Sequence, residues 1–166
     1  MEEIFQQLAE RTESRFLGFR SESGYWKMET EPGNLIRLLE VLYRDNVFWC
    51  DYLQSITAEQ LQGSPDKIQI HYHLESLTKG WKVQVVCAEE LKDSGDLPEF
   101  QSIATLWEAA AWHEREAAEL LGIHFAGHPD LRKLLLPSDW NGYPLRKNYQ
   151  PDEQYHGLKI RYSTEE

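Results

Sequence analysis

Between residues 68 and 87 the chain repeats with a period of two. Ile68, Ile70, Tyr72 and Leu74 alternate with Gln69, His71, His73 and Glu75, and after Thr78-Lys79-Gly80 a second run places Trp81, Val83, Val85 and Cys87 at every other position. Successive side chains of a strand point to opposite faces, so two such runs joined by a short turn predict an antiparallel hairpin with one apolar face. That face requires a covering layer.

The rest of the chain supplies one. Ile4, Phe5 and Leu8 sit at helical spacing among Glu and Gln, which predicts an amphipathic helix over 2–13. Strands are expected at 15–20 and 24–29, separated by Ser21-Glu22-Ser23-Gly24. Thr30 and Pro32 form a helix-start signal, and Leu35, Leu38, Leu39 and Leu42 make the i, i+3, i+4, i+7 stripe of a helix lying on a sheet. Val47 to Ile56 reads as another strand, 91–100 as a loop, and 103–121 as a third helix ended by Gly122, which tolerates a left-handed cap. No internal repeat or low-complexity tract is present. The order implies an α+β two-layer domain over residues 1–127, with helices packed on a mixed β-sheet, followed by an extended C-terminal arm over residues 128–166.

The arm follows from a failure of periodicity. After Phe125 neither a helical nor a strand period is sustained, and compact domains rarely carry more than about 15 residues in that state without a functional reason. Charge separates the two parts. Residues 1–127 hold 11 Lys and Arg against 22 Asp and Glu, while residues 128–149 hold Arg132, Lys133, Arg146 and Lys147 against Asp130 and Asp139. Pro129, Pro137 and Pro144 stiffen this stretch, and Leu131, Leu134, Leu135, Leu136, Trp140 and Tyr143 supply apolar anchors. Arginine and aromatic anchors are what protein interfaces favour, so docking on another protein is expected, with wrapping around its own domain as the alternative.

Composition narrows the function classes. A net charge of −11 opposes binding to nucleic-acid phosphates. No apolar run approaches the roughly 18 residues that span a bilayer, and the acidic start is unlike a secretory signal, so a cytoplasmic location is expected. Cys50 and Cys87 stand alone, outside any CxxC, so this chain by itself cannot make a four-thiolate iron–sulfur site.

Candidate chemistry is sparse. Ile103, Leu106, Trp107, Ala110, Glu114, Ala117 and Leu121 fall on one helical face, which sets a carboxylate in an apolar stripe. A buried charge is costly unless paired, so Glu114 is expected to meet a cation or backbone donors, or to reach solvent if the helix is rolled. Arg115 and Glu119, four apart, are expected to pair on the exposed flank. His71 and His73 share one strand face and could in principle ligate a metal, with His113, His124 and His128 further on. HExxH, CxxC and spaced acidic clusters are absent, which favours a solvated sheet face or packed histidines. No phosphate-binding glycine loop occurs, and Gly63-Ser64-Pro65 reads as a turn rather than a nucleophile setting.

One segment carries a family resemblance. Glu114-Arg115-Glu116, Glu119, Leu120-Leu121, His128 and Arg132 resemble the signature of the thirty-kilodalton subunit family of respiratory complex I, which in bacteria forms the C subunit of NADH-quinone oxidoreductase. The likeness continues through Gly122-Ile123, Phe125, Gly127 to Arg132, Leu135-Leu136, Asp139-Trp140, Gly142, Pro144 to Lys147, and Tyr149. Glu119 stands where the signature usually has Asp, and Asn148 where Asp commonly follows Arg-Lys.

The resemblance implies a core subunit of the peripheral arm, on the cytoplasmic side of the cell membrane, touching the membrane only through the complex. It would lie against the large quinone-site subunit and a neighbouring iron–sulfur subunit, with no catalytic, metal or cofactor site of its own. The clusters, flavin and quinone belong to partners. The interface residues it implies are Glu114, Arg115, Glu116, His128, Arg132, Asp139, Trp140, Arg146 and Lys147. The same signature permits an equivalent subunit of a membrane-bound hydrogenase or formate-hydrogen-lyase complex. A stand-alone metal-dependent enzyme using His71 and His73, and a transient assembly module, are the readings from other classes.

Overall fold

The computed structural model describes residues 2–20, 24–63, 66–92 and 95–159. Residues 21–23, Ser64 and Pro65 of the expected turn, 93–94 of the expected loop and the arm's last residues 160–166 lie outside the described residues.

The chain opens with α1 (Glu2–Arg11), the hairpin β1 (Arg15–Arg20) and β2 (Tyr25–Thr30), and α2 (Pro32–Arg44). Next come β3 (Tyr52–Leu61), β4 (Lys67–Ser76) and β5 (Trp81–Glu90). They form a five-stranded sheet in the order β1-β2-β5-β4-β3. β2 runs parallel to β5 and every other neighbouring pair is antiparallel, so the sheet is mixed. The predicted α+β architecture is present. Ile68, Ile70, Tyr72 and Leu74 of β4 and Val83, Val85 and Cys87 of β5 are all buried, on the face covered by Leu35, Leu38, Leu39 and Leu42 of α2 and by Phe5 and Leu8 of α1. Each such leucine contributes about 2 kcal/mol of transfer free energy.

Two expected elements begin later than the sequence suggested. Residues 45–49 turn instead of extending, because the amides of Phe48 and Trp49 both donate to the carbonyl of Asp45 and Trp49 takes φ +44°, so the strand starts at Tyr52 rather than Val47. The third helix, α3 (Ala110–Leu121), starts seven residues after its expected origin. Residues 103–109 form successive turns, with the amides of Leu106 and Trp107 donating to Ile103 and that of Ala110 to Trp107, so apolar side chains still recur every three or four positions. Within the expected loop Glu99–Gln101 forms a short strand, β6, parallel to β7 (His124–Ala126). Gly122 ends α3 at φ +64°, as expected. The arm then runs without regular structure until a two-rung hairpin, β8 (Gln154–Tyr155) with β9 (Leu158–Lys159).

Candidate subunit-docking site

The arm is held to α3 by polar contacts that use both charges of one helical turn. The Arg115 Nε donates to the carbonyl of Arg132 at 2.8 Å and its Nη2 to that of Lys133 at 3.2 Å. One turn on, the buried Glu119 carboxylate accepts the amides of Leu134, Leu135 and Leu136 at 2.9, 2.8 and 3.2 Å. The expected Arg115–Glu119 pair is therefore replaced: each side chain binds the arm's backbone, where three amides and two carbonyls without ladder partners form stronger bonds than an exposed ion pair would.

The end of α3 is closed the same way. Arg146 Nε donates to the carbonyl of Leu121 and its Nη2 to that of Gly122 at 2.9 Å, while the Leu145 amide donates to the carbonyl of Leu120 at 2.9 Å. A cation among the last carbonyls of a helix suits both its orphan acceptors and its dipole. Tyr143 packs so closely over Gly122 that an added Cβ would lie 2.6 Å from the ring. That position therefore disfavours every other residue on two grounds, its positive φ and this contact.

Glu114 lies at the root of the arm and has no exposed surface. Its Oε1 accepts the Ile103 amide at 2.7 Å and its Oε2 the Ser102 hydroxyl at 2.6 Å, so the backbone-donor expectation holds and the donors are in the same chain. Burial outweighs those two bonds and pushes its pKa up to about 7. His128 Nδ1 accepts the Asp130 amide at 2.9 Å, which puts the ring proton on Nε2, directed to the carbonyl of Ala111 at 3.0 Å. The Glu114 carboxylate is 3.8 Å from that nitrogen. The Tyr72 hydroxyl is fully buried and has no hydrogen-bond partner among the described residues, and its pKa is raised by burial and by the charges of Cys87 and Glu114.

Of the remaining expected residues, Glu116, Arg132, Asp139 and Lys147 are exposed, whereas Trp140 is half-buried with its Nε1 covered. Asp130 grips Arg132 in a fork, which holds the carboxylate far below its usual range. Asp139 accepts the Tyr155 hydroxyl at 2.8 Å and pairs with His156 at 2.7 Å, contacts that tie the end of the arm back on itself and lower the Asp139 pKa. Trp140 packs near Tyr155, and its carbonyl accepts Lys133 Nζ. Glu116 and the Lys147 side chain form no ion pair among the described residues, although the Lys147 amide reaches Gln60 Oε1. The sequence reading missed Trp112, which is 60% exposed on α3 with the Arg115 guanidinium 5.3 Å from its ring. A large aromatic two positions before Glu114, and so off the apolar stripe of the helix, was the available signal.

His71 and His73 stack with ring centroids 6.3 Å apart on the sheet face opposite the buried Ile70, Tyr72 and Leu74. Their nitrogens engage Glu59, Gln69, Gln84 and Ser55. Among the described residues no group of three His, Cys, Asp or Glu side chains is placed to hold a metal, and no helix is long and apolar enough to cross a membrane.

A model of the family described as respiratory-chain NADH dehydrogenase, 30 Kd subunit, matches residues 28–155, most of the sheet, all of α3 and the arm to Tyr155. The chain belongs to this family. Among 30 Kd relatives, the NADH-quinone oxidoreductase C subunit of Chlorobium phaeobacteroides is 46% identical over 100 residues, which cover 58% of this chain and 57% of that protein. The chain thus matches little more than half of that relative's length. An NADH-quinone oxidoreductase C/D subunit of Bacteroides thetaiotaomicron is 34% identical over 122 residues, covering 69% of this chain and 22% of the longer protein. A solved structure of a membrane-bound sulfane sulfur reductase, an archaeal respiratory membrane complex, contains a chain with the same fold, at TM-score 0.69 and 18% identity, covering 83% of this chain and 77% of the other.

Proposed function

We propose that this chain is a non-redox subunit of the peripheral arm of a membrane-associated NADH-quinone oxidoreductase, and that its C-terminal arm docks on the large quinone-site subunit beside an iron–sulfur subunit. Flavin, clusters and quinone belong to those partners. The complex would carry electrons from NADH to quinone and couple them to proton translocation, with this chain on the cytoplasmic side of the membrane.

The observation that carries the proposal is the division of labour along the arm. Its backbone is satisfied inward by Arg115 and Glu119 and its Arg146 caps the end of α3, while Leu135 and Leu145 stand 64% and 56% exposed and Trp112 lies uncovered on α3. Large apolar side chains on a rigidly held backbone form a preorganised contact surface. The C/D relative adds support, since a polypeptide that carries both parts keeps them near each other.

The test is affinity purification of the tagged chain from detergent-solubilised membranes, compared with a Leu135→Asp, Leu145→Asp variant. Both positions are solvent-exposed, so the variant should fold. The proposal expects the intact chain to bring down a large quinone-site subunit and the variant to lose it. It is overturned if retention is unchanged, if the companion is a nickel-binding hydrogenase subunit, or if the isolated chain itself oxidises NADH.

A further inference from the structure

The sheet has two edges, and they are treated differently. On the β3 side α3 packs against the strand and the arm crosses its end through the Lys147 amide and Gln60. On the other side β1 pairs only with β2 among the described residues, so its outer backbone groups have no strand beside them. Proteins usually blunt such an edge, because it is a template for another strand.

The groove between this edge and α1 is lined by three carboxylates and, among the described residues, no cation. α1 lies beside it and turns Glu2, Glu3 and Glu10 outward, together with Gln6, along an open groove that also includes Phe16 and Gly18. None of the three carboxylates forms an ion pair among the described residues. The two faces of β1 also differ. Phe16 and Phe19 point toward the helix layer, where both meet Trp26, whereas Arg15 points to the open face and pairs with Glu29 at 3.5 Å. Arg15 therefore does not neutralise the α1 carboxylates. A bulge between Phe16 and Gly18 sets this arrangement, and nothing lies within 4 Å of where a Cβ on Gly18 would project.

We propose that the β1 edge is a second docking surface, which accepts an extended basic segment of a partner protein as a sixth strand. Main-chain hydrogen bonds to residues 15–19 would give affinity. Lys or Arg side chains at alternate positions would face Glu2, Glu3 and Glu10, and the intervening ones would lie on the open face of the sheet. A second copy of this chain fits poorly, because pairing β1 with β1 would bring two sets of the same carboxylates together on bodies that each carry a large negative charge. The proposal is independent of arm docking, since the edge lies at the far side of the sheet from α3.

The test uses the isolated full-length chain and two synthetic probes of about the length of β1, one alternating Arg with Val and one alternating Glu with Val. Amide NMR is expected to show saturable binding of the basic peptide, with shift changes and slowed hydrogen exchange confined to residues 15–20 and the exposed side of α1. Its affinity should fall about tenfold in a Glu3→Lys, Glu10→Lys variant and less in the Glu3→Gln, Glu10→Gln variant. Both positions are exposed on α1, and unchanged amide spectra elsewhere will verify the fold. Equal binding of the acidic peptide, binding that maps to another surface, or affinity untouched by charge reversal overturns the proposal.

Discussion

The Glu114 carboxyl makes stability depend on pH in a direction opposite to most acidic groups. Its pKa is about 7 in the fold and near the ordinary value of 4.5 when unfolded. Below 4.5 both states hold the proton and the contribution is complete. Between 4.5 and 7 the unfolded chain has released it while the folded chain keeps it, so stability falls as pH rises; above 7 the loss is constant. At about 1.4 kcal/mol per pH unit the total is on the order of 3 kcal/mol. Urea unfolding of wild type and Glu114→Gln at pH 5, 6, 7 and 8 isolates this group, and the variant is expected to gain on wild type at each step up to pH 7. A parallel curve for the two proteins contradicts a neutral carboxyl. Nearby, the Tyr72 hydroxyl has no partner among the described residues, and Tyr72→Phe is expected to stabilise the fold by about 1 kcal/mol in the same assay.

At the scale of elements the central unit is α3 with the arm laid along it. Glu119→Gln keeps the shape but offers one acceptor oxygen to three amides, and the loss should be about 2 kcal/mol, with faster hydrogen exchange at Leu134, Leu135 and Leu136. Exchange unchanged at those amides would mean that the arm does not depend on this carboxylate. How legible this unit is in the sequence differs by residue. Glu114 announces itself, because a carboxylate in an apolar stripe is a local contradiction, and Gly122 announces a cap. Glu119 and Arg146 do not, because their partners are 15 to 17 and 24 to 25 positions away and are backbone groups, which leave no mark in the side-chain pattern. The same limit explains the two late starts. Turns at 45–49 and 103–109 carry apolar residues at spacings that periodicity assigns to a strand and a helix, whereas the strict alternation of β4 and β5 admits one reading and is correct over its full length.

For the whole molecule the question is whether the arm belongs to the globule or only to its partner, and the contacts divide it into two stretches. Residues 128–149 contribute His128 at the root, the amides on Glu119, the Arg146 cap and the Tyr143 ring over Gly122. Residues 150–159 touch the rest mainly through Asp139 and end in a short exposed hairpin. Truncation after Gly127 is therefore expected to leave the five-stranded sheet folded around its own core, while unmasking the Glu119 carboxylate and the carbonyls at the end of α3. A loss of a few kcal/mol corresponds to a Tm lower by about 10 °C for a chain of this size. Truncation after Tyr149 removes none of these contacts and should move Tm by no more than about 2 °C. Calorimetry on the two shortened chains separates a structural role from a purely docking one. Equal, small shifts would show that residues 128–149 lie on the domain without stabilising it, and their polar clamp would then serve only to shape the surface a partner meets.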